Sequence, residues 1–342
     1  MNPFEVRRIG STEVEVTVLG LGGTAYAGMY ESVADERAVE AIREAFNKGI
    51  RYFDTAPLYG HGSSEIRLGK ALKAFDRGSY VISSKVGRVL ERAPSGAIKP
   101  DVFDDPLPNR PVFDFTHQGA VRSFRESLER LGTTYLDICL VHDPDQSAAI
   151  ILEDPQADVH VAQVMRDTWP ALIELRDQGL LRAIGVGMNQ WPMLRDFVQT
   201  GKFDCILLAG RYTLLDQSSL DELLPACIAR NVSVIIGGPY NSGILATGAV
   251  PGAMYNYSPA PIEILERVRH LQETCAEFNV EMRAAALQFP LAHPAVATVI
   301  PGARSVNEVT ENIRLMSVSI PAEFWAALKA RGLIRPESPI AQ

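Results

Sequence analysis

Gly49-Ile-Arg-Tyr-Phe-Asp54-Thr-Ala-Pro-Leu-Tyr59-Gly-His-Gly-Ser-Ser-Glu65 is the stretch of sequence that decides the fold of this chain. Residues 51–53 predict a short buried strand, and Asp54 stands at its carboxyl end. Tyr59 follows in a loop, and the next residues predict the start of a helix with Ser64 as its N-cap. An acid and a phenol are therefore held on a strand-to-helix loop, which in a parallel α/β barrel faces the mouth of the active site.

On both sides of this stretch, short apolar runs alternate with amphipathic segments. They predict eight strands, at residues 17–22, 51–54, 80–85, 136–142, 181–186, 203–208, 232–236 and 297–300. Because strands that alternate with helices form parallel sheets, the class is α/β. We expect a closed (β/α)8 TIM barrel with an N-terminal β-hairpin, at residues 6–16, and long βα loops. No linker or change of composition divides the chain, so we expect a single domain over residues 1–342.

An open, doubly wound sheet is the alternative. Its support is Gly20-x-Gly22-x-x-Ala25, which follows the first predicted strand and matches a dinucleotide-binding fingerprint. That fingerprint requires a helix to begin at once, whereas Tyr-Ala-Gly-Met-Tyr intervenes here at residues 26–30. The pattern of the whole chain therefore favours the barrel.

Composition limits the class of protein further. The apolar content of 46% and charged content of 22% are ordinary for a soluble globular protein, and the net charge of −8 argues against a nucleic-acid partner. No apolar run reaches the roughly 18 residues of a membrane span, and the N-terminus lacks the apolar region of a signal peptide. Four scattered cysteines without a CxxC spacing predict buried, reduced thiols. We expect a cytoplasmic protein, and no feature indicates its oligomeric state.

Four ionisable residues fall at the carboxyl ends of consecutive predicted strands or in the loops that follow: Asp54, Tyr59, Lys85 and His142. A free phenol has a pKa near 10, which is too high for proton transfer at neutral pH, and a neighbouring cation lowers it. Lys85 can supply that cation, and Asp54 can hold it by an ion pair. His142 can then hydrogen-bond the oxygen of a bound carbonyl or alcohol. The set predicts a general acid/base suited to proton transfer coupled to hydride transfer.

Residues 49–69 resemble the signature of the aldo-keto reductases. Ser84-Lys85 and Leu140-Val-His142-Asp-Pro-Asp145 resemble the second and third landmarks of that family, and the resemblance extends over essentially the whole chain. It implies a (β/α)8 barrel that binds a nicotinamide cofactor. It also implies Tyr59 as the proton donor or acceptor, Lys85 and Asp54 as the groups that tune its pKa, and His142 as the residue that orients the substrate.

The resemblance also implies where the cofactor binds. Asn189 matches the asparagine of the family's Ser-Asn pair and should bind the carboxamide, although Met188 replaces the serine. Two further positions depart from the family: Ala209 stands where a Gln is usual, and Gly237-Gly238 where an aromatic residue often stacks on the nicotinamide. The implied cofactor contacts are Gly23, Thr24, Asp54, Asn189, Gly302, Arg304, Ser305, Glu308, Glu311 and Asn312.

Arg304 and Ser305 lie at the predicted start of a helix, where backbone N–H groups and the helix dipole favour an anion. The alternative is that Ser305-x-x-Glu308 is a capping box and nothing more. A guanidinium can pair with the 2′-phosphate of NADP, whereas the Glu308 carboxylate repels a phosphate and accepts from a 2′-hydroxyl. We therefore expect NAD, with NADP as the alternative.

We expect no metal. Asp54, His61, His142 and Asp143 are the conceivable ligands of a metal hydrolase, but they lack HxH or HExxH spacing, and Lys85 nearby would repel a cation.

Within the family, residues 186–191, 207–216, 238–243 and 285–294 resemble the dehydrogenases that oxidise L-fucose, D-threo-aldoses or L-galactose at C1. This implies that a cyclic sugar loses a hydride from C1, that Tyr59 accepts the hydroxyl proton, and that a lactone leaves. Pyridoxal 4-dehydrogenase belongs to the same neighbourhood and is one alternative, and a general aldehyde or ketone reductase is another. The third alternative is a nucleotide-sensing subunit with little turnover. The presence of all four residues Asp54, Tyr59, Lys85 and His142 argues against it.

A small-molecule sugar or aldehyde is thus the expected partner. A sugar ring needs partners for its hydroxyl groups and a flat apolar platform. Asp143, Arg211 and Asn241 can supply the polar partners, and Trp191 or Tyr26 the platform. The candidate substrate contacts are Tyr26, Tyr59, His142, Asp143, Trp191, Arg211 and Asn241.

Overall fold

The computed structural model describes residues 1–94, 98, 101–145 and 160–340. Its strands are β1 (Val6–Arg8), β2 (Glu15–Thr17), β3 (Leu21–Gly22), β4 (Tyr52–Asp54), β5 (Val81–Val86), β6 (Arg88–Arg92), β7 (Asn109–Phe113), β8 (Leu136–His142), β9 (Leu181–Met188), β10 (Cys205–Ala209), β11 (Ser233–Gly237), β12 (Met254–Tyr255), β13 (Ser258–Pro259) and β14 (Val296–Ile300).

Helices lie between the strands along the chain. They are α1 (Gly23–Tyr26), α2 (Asp35–Lys48), α3 (Ser63–Leu72), α4 (His117–Leu131), α5 (Val161–Gln163), α6 (Trp169–Asp177), α7 (Trp191–Gln199), α8 (Leu223–Arg230), α9 (Ile244–Thr247), α10 (Ile262–Glu277), α11 (Met282–Gln288), α12 (Val306–Ser317) and α13 (Ala322–Ala330). A π-helical turn, Val164–Thr168, joins α5 to α6, and 3₁₀ turns lie at Tyr59–Gly62, Arg77–Ser79 and Pro290–Ala292.

Eight parallel strands form the central sheet, in the order β14-β11-β10-β9-β8-β5-β4-β3. The sheet closes on itself, because the Gly20 N–H donates to the Val299 carbonyl at 2.9 Å and the Val299 N–H donates to the Val18 carbonyl at 2.9 Å. An isolated parallel bridge between Gly22 and Gly302 extends this seam. The predicted (β/α)8 barrel is confirmed, and the open sheet is wrong.

Glycines allow the two strands at the seam to approach closely. A Cβ atom on Gly20 would lie 2.8 Å from the ring of Tyr52, and one on Gly22 would lie 2.7 Å from the Ile300 carbonyl oxygen. The seam therefore explains the Gly20-x-Gly22 spacing that imitates a dinucleotide fingerprint. A helix does begin directly after β3, but α1 contains only 4 residues.

The N-terminal hairpin closes the amino end of the barrel. β1 and β2 pair antiparallel, as predicted. Ile9, Val14 and Val16 belong to the same buried cluster as the inward-facing side chains of the barrel strands, such as Leu140 and Ile235. The opposite, carboxyl end of the barrel is therefore the open one.

Three local predictions differ from the structure. Residues 87–116, one of the long βα loops expected from the sequence, contain an antiparallel hairpin, in which Arg88 pairs with Phe113 and Arg92 with Asn109. Ser64 is not an N-cap: Gly62 has that position, with φ at 104°, and the Ser64 hydroxyl donates to the Gly23 carbonyl at 3.0 Å. The spacing Ser219-x-x-Glu222 predicts a capping box, but α8 begins at Leu223 and the Ser219 hydroxyl donates to the Arg211 carbonyl.

The cysteines are buried free thiols, as predicted: Cys139, Cys205, Cys227 and Cys275. Burial raises the pKa of the Cys227 and Cys275 thiols to about 12. Among the described residues, no helix is long and apolar enough to cross a membrane.

Candidate active site

A buried ion pair lies at the carboxyl ends of two neighbouring barrel strands. Lys85 Nζ on β5 is 2.9 and 2.8 Å from the two carboxylate oxygens of Asp54, the last residue of β4, and it also donates to the Thr55 carbonyl at 2.8 Å. The side chains of Lys85 and Asp54 are 1% and 2% exposed. The Ser83 hydroxyl donates to Asp54 Oδ1 at 2.7 Å. Two charges removed from water are therefore held by each other and by further hydrogen bonds, as such a pair requires.

Tyr59 lies directly beside this pair, in the 3₁₀ turn that follows β4. Its ring centroid is 4.7 Å from Lys85 Nζ and 5.8 Å from the ring centroid of His142. Burial raises the pKa of the Tyr59 phenol well above its usual value, and the carboxylates of Asp54 and Asp143 raise it further. This direction is opposite to the one expected from Lys85, whose positive charge is balanced by the carboxylate that it contacts.

His142, at the end of β8, packs edge-on against the Tyr59 ring. Burial lowers the pKa of its imidazole well below the usual value, and the cations Arg88 and Lys85 lower it further. The ring is therefore neutral at physiological pH. Its Nδ1 atom is buried, and no described residue hydrogen-bonds it. A neutral imidazole carries one N–H donor and one acceptor, and it can hold a substrate oxygen without adding a charge.

Two cavities meet at these side chains. The smaller one lies over the carboxyl ends of the strands, and the residues that line it are Thr24, Met29, Leu58, Tyr59, Lys85, Phe103, His142, Asp143, Gly187, Met188, Asn189, Leu207, Ala209 and Tyr257. The larger one is a groove of about 800 Å³ that runs from Tyr59 past Gly238 to α12. Thr24, Met29 and Tyr257 line both, so the cavities adjoin.

The groove fits a dinucleotide. Its volume falls within the roughly 300–1,000 Å³ of ligand and cofactor pockets. Gly238 lines it with φ at 56°, a backbone conformation that favours glycine. The Asn241 side-chain amide donates to the Gly210 carbonyl at 3.1 Å, whereas its buried Oδ1 has no hydrogen-bond partner among the described residues. This acceptor is available to a donor group of a ligand bound in the groove.

One end of the groove lies at the N-terminus of α12. Ser305 is its N-cap and accepts from the Glu308 N–H at 3.3 Å. The Glu308 carboxylate accepts from the Arg304 N–H at 2.7 Å, and the Arg304 guanidinium donates to the Met29 carbonyl at 3.0 Å. At the same end, Glu311 pairs with Arg283 at 2.8 Å. Both signs of charge therefore line this end of the groove.

Most of the predicted cofactor contacts line the groove, and the exception is Ser305, whose hydroxyl caps α12. The contacts on the groove are Gly23, Thr24, Asp54, Asn189, Gly302, Arg304, Glu308, Glu311 and Asn312. Their roles stay predictions. At the junction of the cavities, the Asn189 amide donates to the Ala209 carbonyl at 3.1 Å.

The predicted substrate contacts divide into three groups. Tyr59, His142 and Asp143 line the smaller cavity, and Asn241 lines the groove instead. The described residues that line the two cavities do not include Tyr26, Trp191 or Arg211. Tyr26 is 0% exposed within the core, Trp191 packs on the core as the first residue of α7, and the Arg211 guanidinium donates to Asn256 Oδ1 at 2.7 Å.

Sequence reasoning missed two residues at the site. Arg88 on β6 is 3% exposed and reaches the side chain of Asp143. Tyr257 lines both cavities from the turn between β12 and β13, with φ at 62°, and its hydroxyl accepts from the Asn189 amide at 3.5 Å. The only signal for Arg88 was its position three residues after Lys85.

The described residues contain no group of three or more His, Cys, Asp or Glu side chains that could hold a metal ion. Among Asp54, Tyr59, Lys85 and His142, the one carboxylate, that of Asp54, contacts the Lys85 ammonium group.

Comparisons with known proteins agree with this geometry. The Aldo/keto reductase family matches residues 18–331, and the chain belongs to that family. It is 38% identical to the pyridoxal 4-dehydrogenase of Microbacterium luteolum, over 96% of this chain and 98% of that protein. It is 35% identical to the D-threo-aldose 1-dehydrogenase of a Pseudomonas species, over 93% of this chain and 95% of that protein. The protein is therefore an NAD(P)-dependent oxidoreductase that acts on CH–OH donors or carbonyl compounds.

A solved structure shows the same fold. The holo form of an aldo-keto reductase from Bacillus halodurans superposes with a TM-score of 0.74 at 24% sequence identity, and the match covers 99% of this chain and 98% of that one.

Proposed function

We propose that the protein oxidises a cyclic hemiacetal to a lactone, with an aldose at C1 as the first candidate substrate. The observation that carries this proposal is the neutral His142 ring, 5.8 Å from the Tyr59 ring, with the Lys85–Asp54 pair beneath them and a dinucleotide-sized groove alongside. A small cavity lined by apolar side chains and by the polar groups of Tyr59, His142 and Asp143 suits a ring whose reacting hydroxyl is at its edge.

In this proposal, each residue of the site has a separate role. His142 holds the hydroxyl oxygen of the substrate and adds no charge. Tyr59 accepts the hydroxyl proton in its phenolate form, after its own proton has passed to solvent, and the Lys85 ammonium group lies 4.7 Å from the centroid of that ring. A bound oxidised nicotinamide supplies the hydride acceptor and a positive charge. Before a cation binds beside it, the raised pKa of Tyr59 keeps the phenol protonated.

Pyridoxal is the second candidate, and it is supported by a specific observation. Pyridoxal also closes to a cyclic hemiacetal, through its neighbouring hydroxymethyl group, and its oxidation gives a lactone by the same chemistry. The side chains of Met29, Leu58, Phe103, Leu207 and Tyr257 give the cavity an apolar and partly aromatic wall that suits a flat aromatic ring.

The test is the rate of NADH or NADPH formation with L-fucose, L-galactose, D-arabinose and pyridoxal. We expect one of these hemiacetals to be oxidised with a kcat/KM at least about tenfold above that for simple alcohols, with the lactone as product. Reduction of many aldehydes and ketones without hemiacetal oxidation would favour a general reductase. Tight nucleotide binding with no turnover on any substrate would favour a sensing subunit and overturn the proposal.

We also propose that NAD is preferred over NADP. Glu308 lines the groove at the N-terminus of α12, where its carboxylate repels a 2′-phosphate and can accept from a 2′-hydroxyl. The Glu308→Gln variant should retain the hydrogen bond to the Arg304 N–H and lose only the charge.

We predict that Glu308→Gln lowers KM for NADP several-fold and changes KM for NAD little, because only the phosphate feels the lost charge. Initial rates with each nucleotide measure both constants. An unchanged NADP/NAD ratio of kcat/KM would show that the carboxylate does not decide the preference.

The enzyme is further proposed to act in the cytoplasm on a small-molecule substrate.

A further inference from the structure

We propose that Arg88 and Asp143 form a hydroxyl-binding subsite beside His142, which selects substrates that carry a second oxygen close to the reacting carbon. This inference rests on the proposed function, and it adds to it a chemical requirement on the substrate. Neither residue belongs to the tetrad of Asp54, Tyr59, Lys85 and His142.

Arg88 is brought to the site by the β6–β7 hairpin. Its guanidinium donates to Asp143 Oδ2 at 3.1 Å and to the His142 carbonyl at 3.4 Å, and it lies 4.4 Å from the centroid of the Phe113 ring. The backbone is held as well, because the Ser123 hydroxyl donates to the Arg88 carbonyl at 2.8 Å. A guanidinium held by several contacts inside the protein can position a carboxylate with little loss of freedom on binding.

Asp143 has an unusual backbone conformation. Its φ is 45°, in the left-handed region, and its N–H donates to the Gly187 carbonyl at 2.9 Å on the neighbouring strand. Side chains other than glycine adopt this region at a cost, and such residues concentrate at functional sites. The conformation turns the chain directly after His142, and the Asp143 side chain lines the smaller cavity.

The geometry links the two candidate substrate contacts. Asp143 Oδ2 is 3.4 Å from His142 Nε2, which is comparable to the separation of two oxygens on neighbouring carbon atoms. An oxygen held by His142 and a second hydroxyl that donates to Asp143 therefore belong to one small part of the substrate. Burial raises the pKa of Asp143, and the Arg88 cation opposes this, so Arg88 favours the charged form that accepts hydrogen bonds.

The competing explanation is that the pair only ties the β6–β7 hairpin to the barrel. A structural tie would affect stability, and it would not distinguish between substrates. The deciding quantity is therefore the ratio of kcat/KM for a hemiacetal to kcat/KM for its analogue without the second hydroxyl. Suitable pairs are L-fucose with 2-deoxy-L-fucose, and pyridoxal with 3-deoxypyridoxal.

For the wild-type protein we expect this ratio to be about 10 to 160, because a hydrogen bond to a charged group contributes roughly 1.5–3 kcal/mol and each 1.36 kcal/mol is tenfold. Asp143→Gly removes the carboxylate and keeps the left-handed backbone favourable, so the ratio should fall to about one. Asp143→Asn keeps a neutral acceptor in a residue that tolerates this backbone, and it should leave a ratio of a few-fold.

Arg88 is tested as a positioning residue. Arg88→Met should lower the ratio and also move the acid limb of the kcat/KM profile to higher pH, because a cation that lowers the pKa of His142 is lost. Arg88→Lys should restore the position of that limb, because the charge returns, but should restore the ratio only partly. The control is Arg110→Met, which removes an exposed arginine paired with Glu91 on the same hairpin and should change neither readout.

The outcomes separate this inference from the proposed function. If the wild-type protein oxidises no hemiacetal, the proposed function fails. If it oxidises a hemiacetal and its deoxy analogue equally well, the proposed function stands and the subsite is refuted. A wild-type ratio above ten that Asp143→Gly leaves unchanged would also refute the subsite, even if Arg88→Met failed to fold.

Discussion

Lys85 and Asp54 form a buried ion pair, in which each charge offsets the cost of burying the other. We predict that Lys85→Met lowers the free energy of unfolding by about 3–5 kcal/mol, because it leaves the Asp54 carboxylate buried without its cation. The double variant Asp54→Asn, Lys85→Met removes both charges and should recover part of that loss. Denaturation by urea measures these differences.

The control for this prediction is the exposed Arg110–Glu91 pair, whose removal should change the stability little because solvent already screens it. Equal stability of Lys85→Met and the wild-type protein would contradict the account of the buried pair.

Tyr59 is the residue whose hydroxyl we expect to transfer the proton. Tyr59→Phe should lower kcat by orders of magnitude and leave nucleotide binding nearly intact, because it removes one oxygen from a ring that stays packed beside Lys85 and His142. Steady-state rates and nucleotide titration by fluorescence measure the two quantities. A variant with near wild-type kcat would refute the proposed role.

Residues at the ends of barrel strands were predictable, and residues on inserted hairpins were not. Asp54, Lys85 and His142 each end or nearly end an apolar run, and a parallel barrel brings such ends together. Arg88 and Tyr257 lie on hairpins whose position over the barrel is set by tertiary contacts. Tyr26 was predicted to contact the substrate, but its ring packs entirely inside the core. The position of an aromatic residue after the first strand does not reveal such packing.

Among the structural elements, the seam between the first and last strands depends on residue size. Gly22→Ala should destabilise the protein by about 1–3 kcal/mol, because the added Cβ would lie 2.7 Å from the Ile300 carbonyl oxygen and the backbone must shift. The midpoint of thermal unfolding is the measurement. Gly78→Ala is the matched control, since its Cβ would meet only the end of the Asp76 side chain at 3.2 Å. Similar midpoints for the two variants would contradict the steric account.

Elements with strong apolar runs were predicted with close bounds, as β8 shows. The β6–β7 hairpin was predicted as a loop because its strands carry little alternation: β7 contains Pro111, and β6 ends on Glu91 and Arg92. Its pairing depends on packing over the barrel, for example the contact of Arg88 with the Phe113 ring, which the local sequence does not encode.

Over the whole molecule, buried histidines should make stability depend on pH. Burial lowers the pKa of His293 to about 4, and its Nδ1 accepts from the Ala295 N–H at 3.2 Å. His142 is shifted in the same direction. Between pH 6.5 and about 4 the unfolded chain binds more protons at these sites than the folded protein does. Above pH 6.5 these histidines should therefore leave the free energy of unfolding unchanged. As the pH decreases below 6.5, they should lower it.

Urea titrations between pH 7.5 and pH 4 would test this expectation. His293→Asn should flatten the dependence, because the variant has no imidazole to protonate. His270→Gln, at an exposed position on α10, is the control and should keep the wild-type slope. A slope that is the same in all three proteins would show that His293 does not contribute.

The barrel itself could be predicted because eight alternating units leave few other ways to bury their apolar faces. Its closure through Gly20 and Gly22 could not, because the same spacing serves dinucleotide-binding turns and only the contact with Ile300 distinguishes the two. The organisation of residues 1–342 as one domain stays a prediction.

The burial of the four cysteine thiols has a practical consequence. An alkylating reagent reacts with a thiolate, and burial both blocks access to Cys139, Cys205, Cys227 and Cys275 and disfavours their ionisation. Iodoacetamide should therefore leave the native chain unlabelled and modify it only when it opens. The mass gained per unit time would then report opening of the chain without any engineered probe: the opening rate where alkylation is faster than reclosing, and the open population where it is slower.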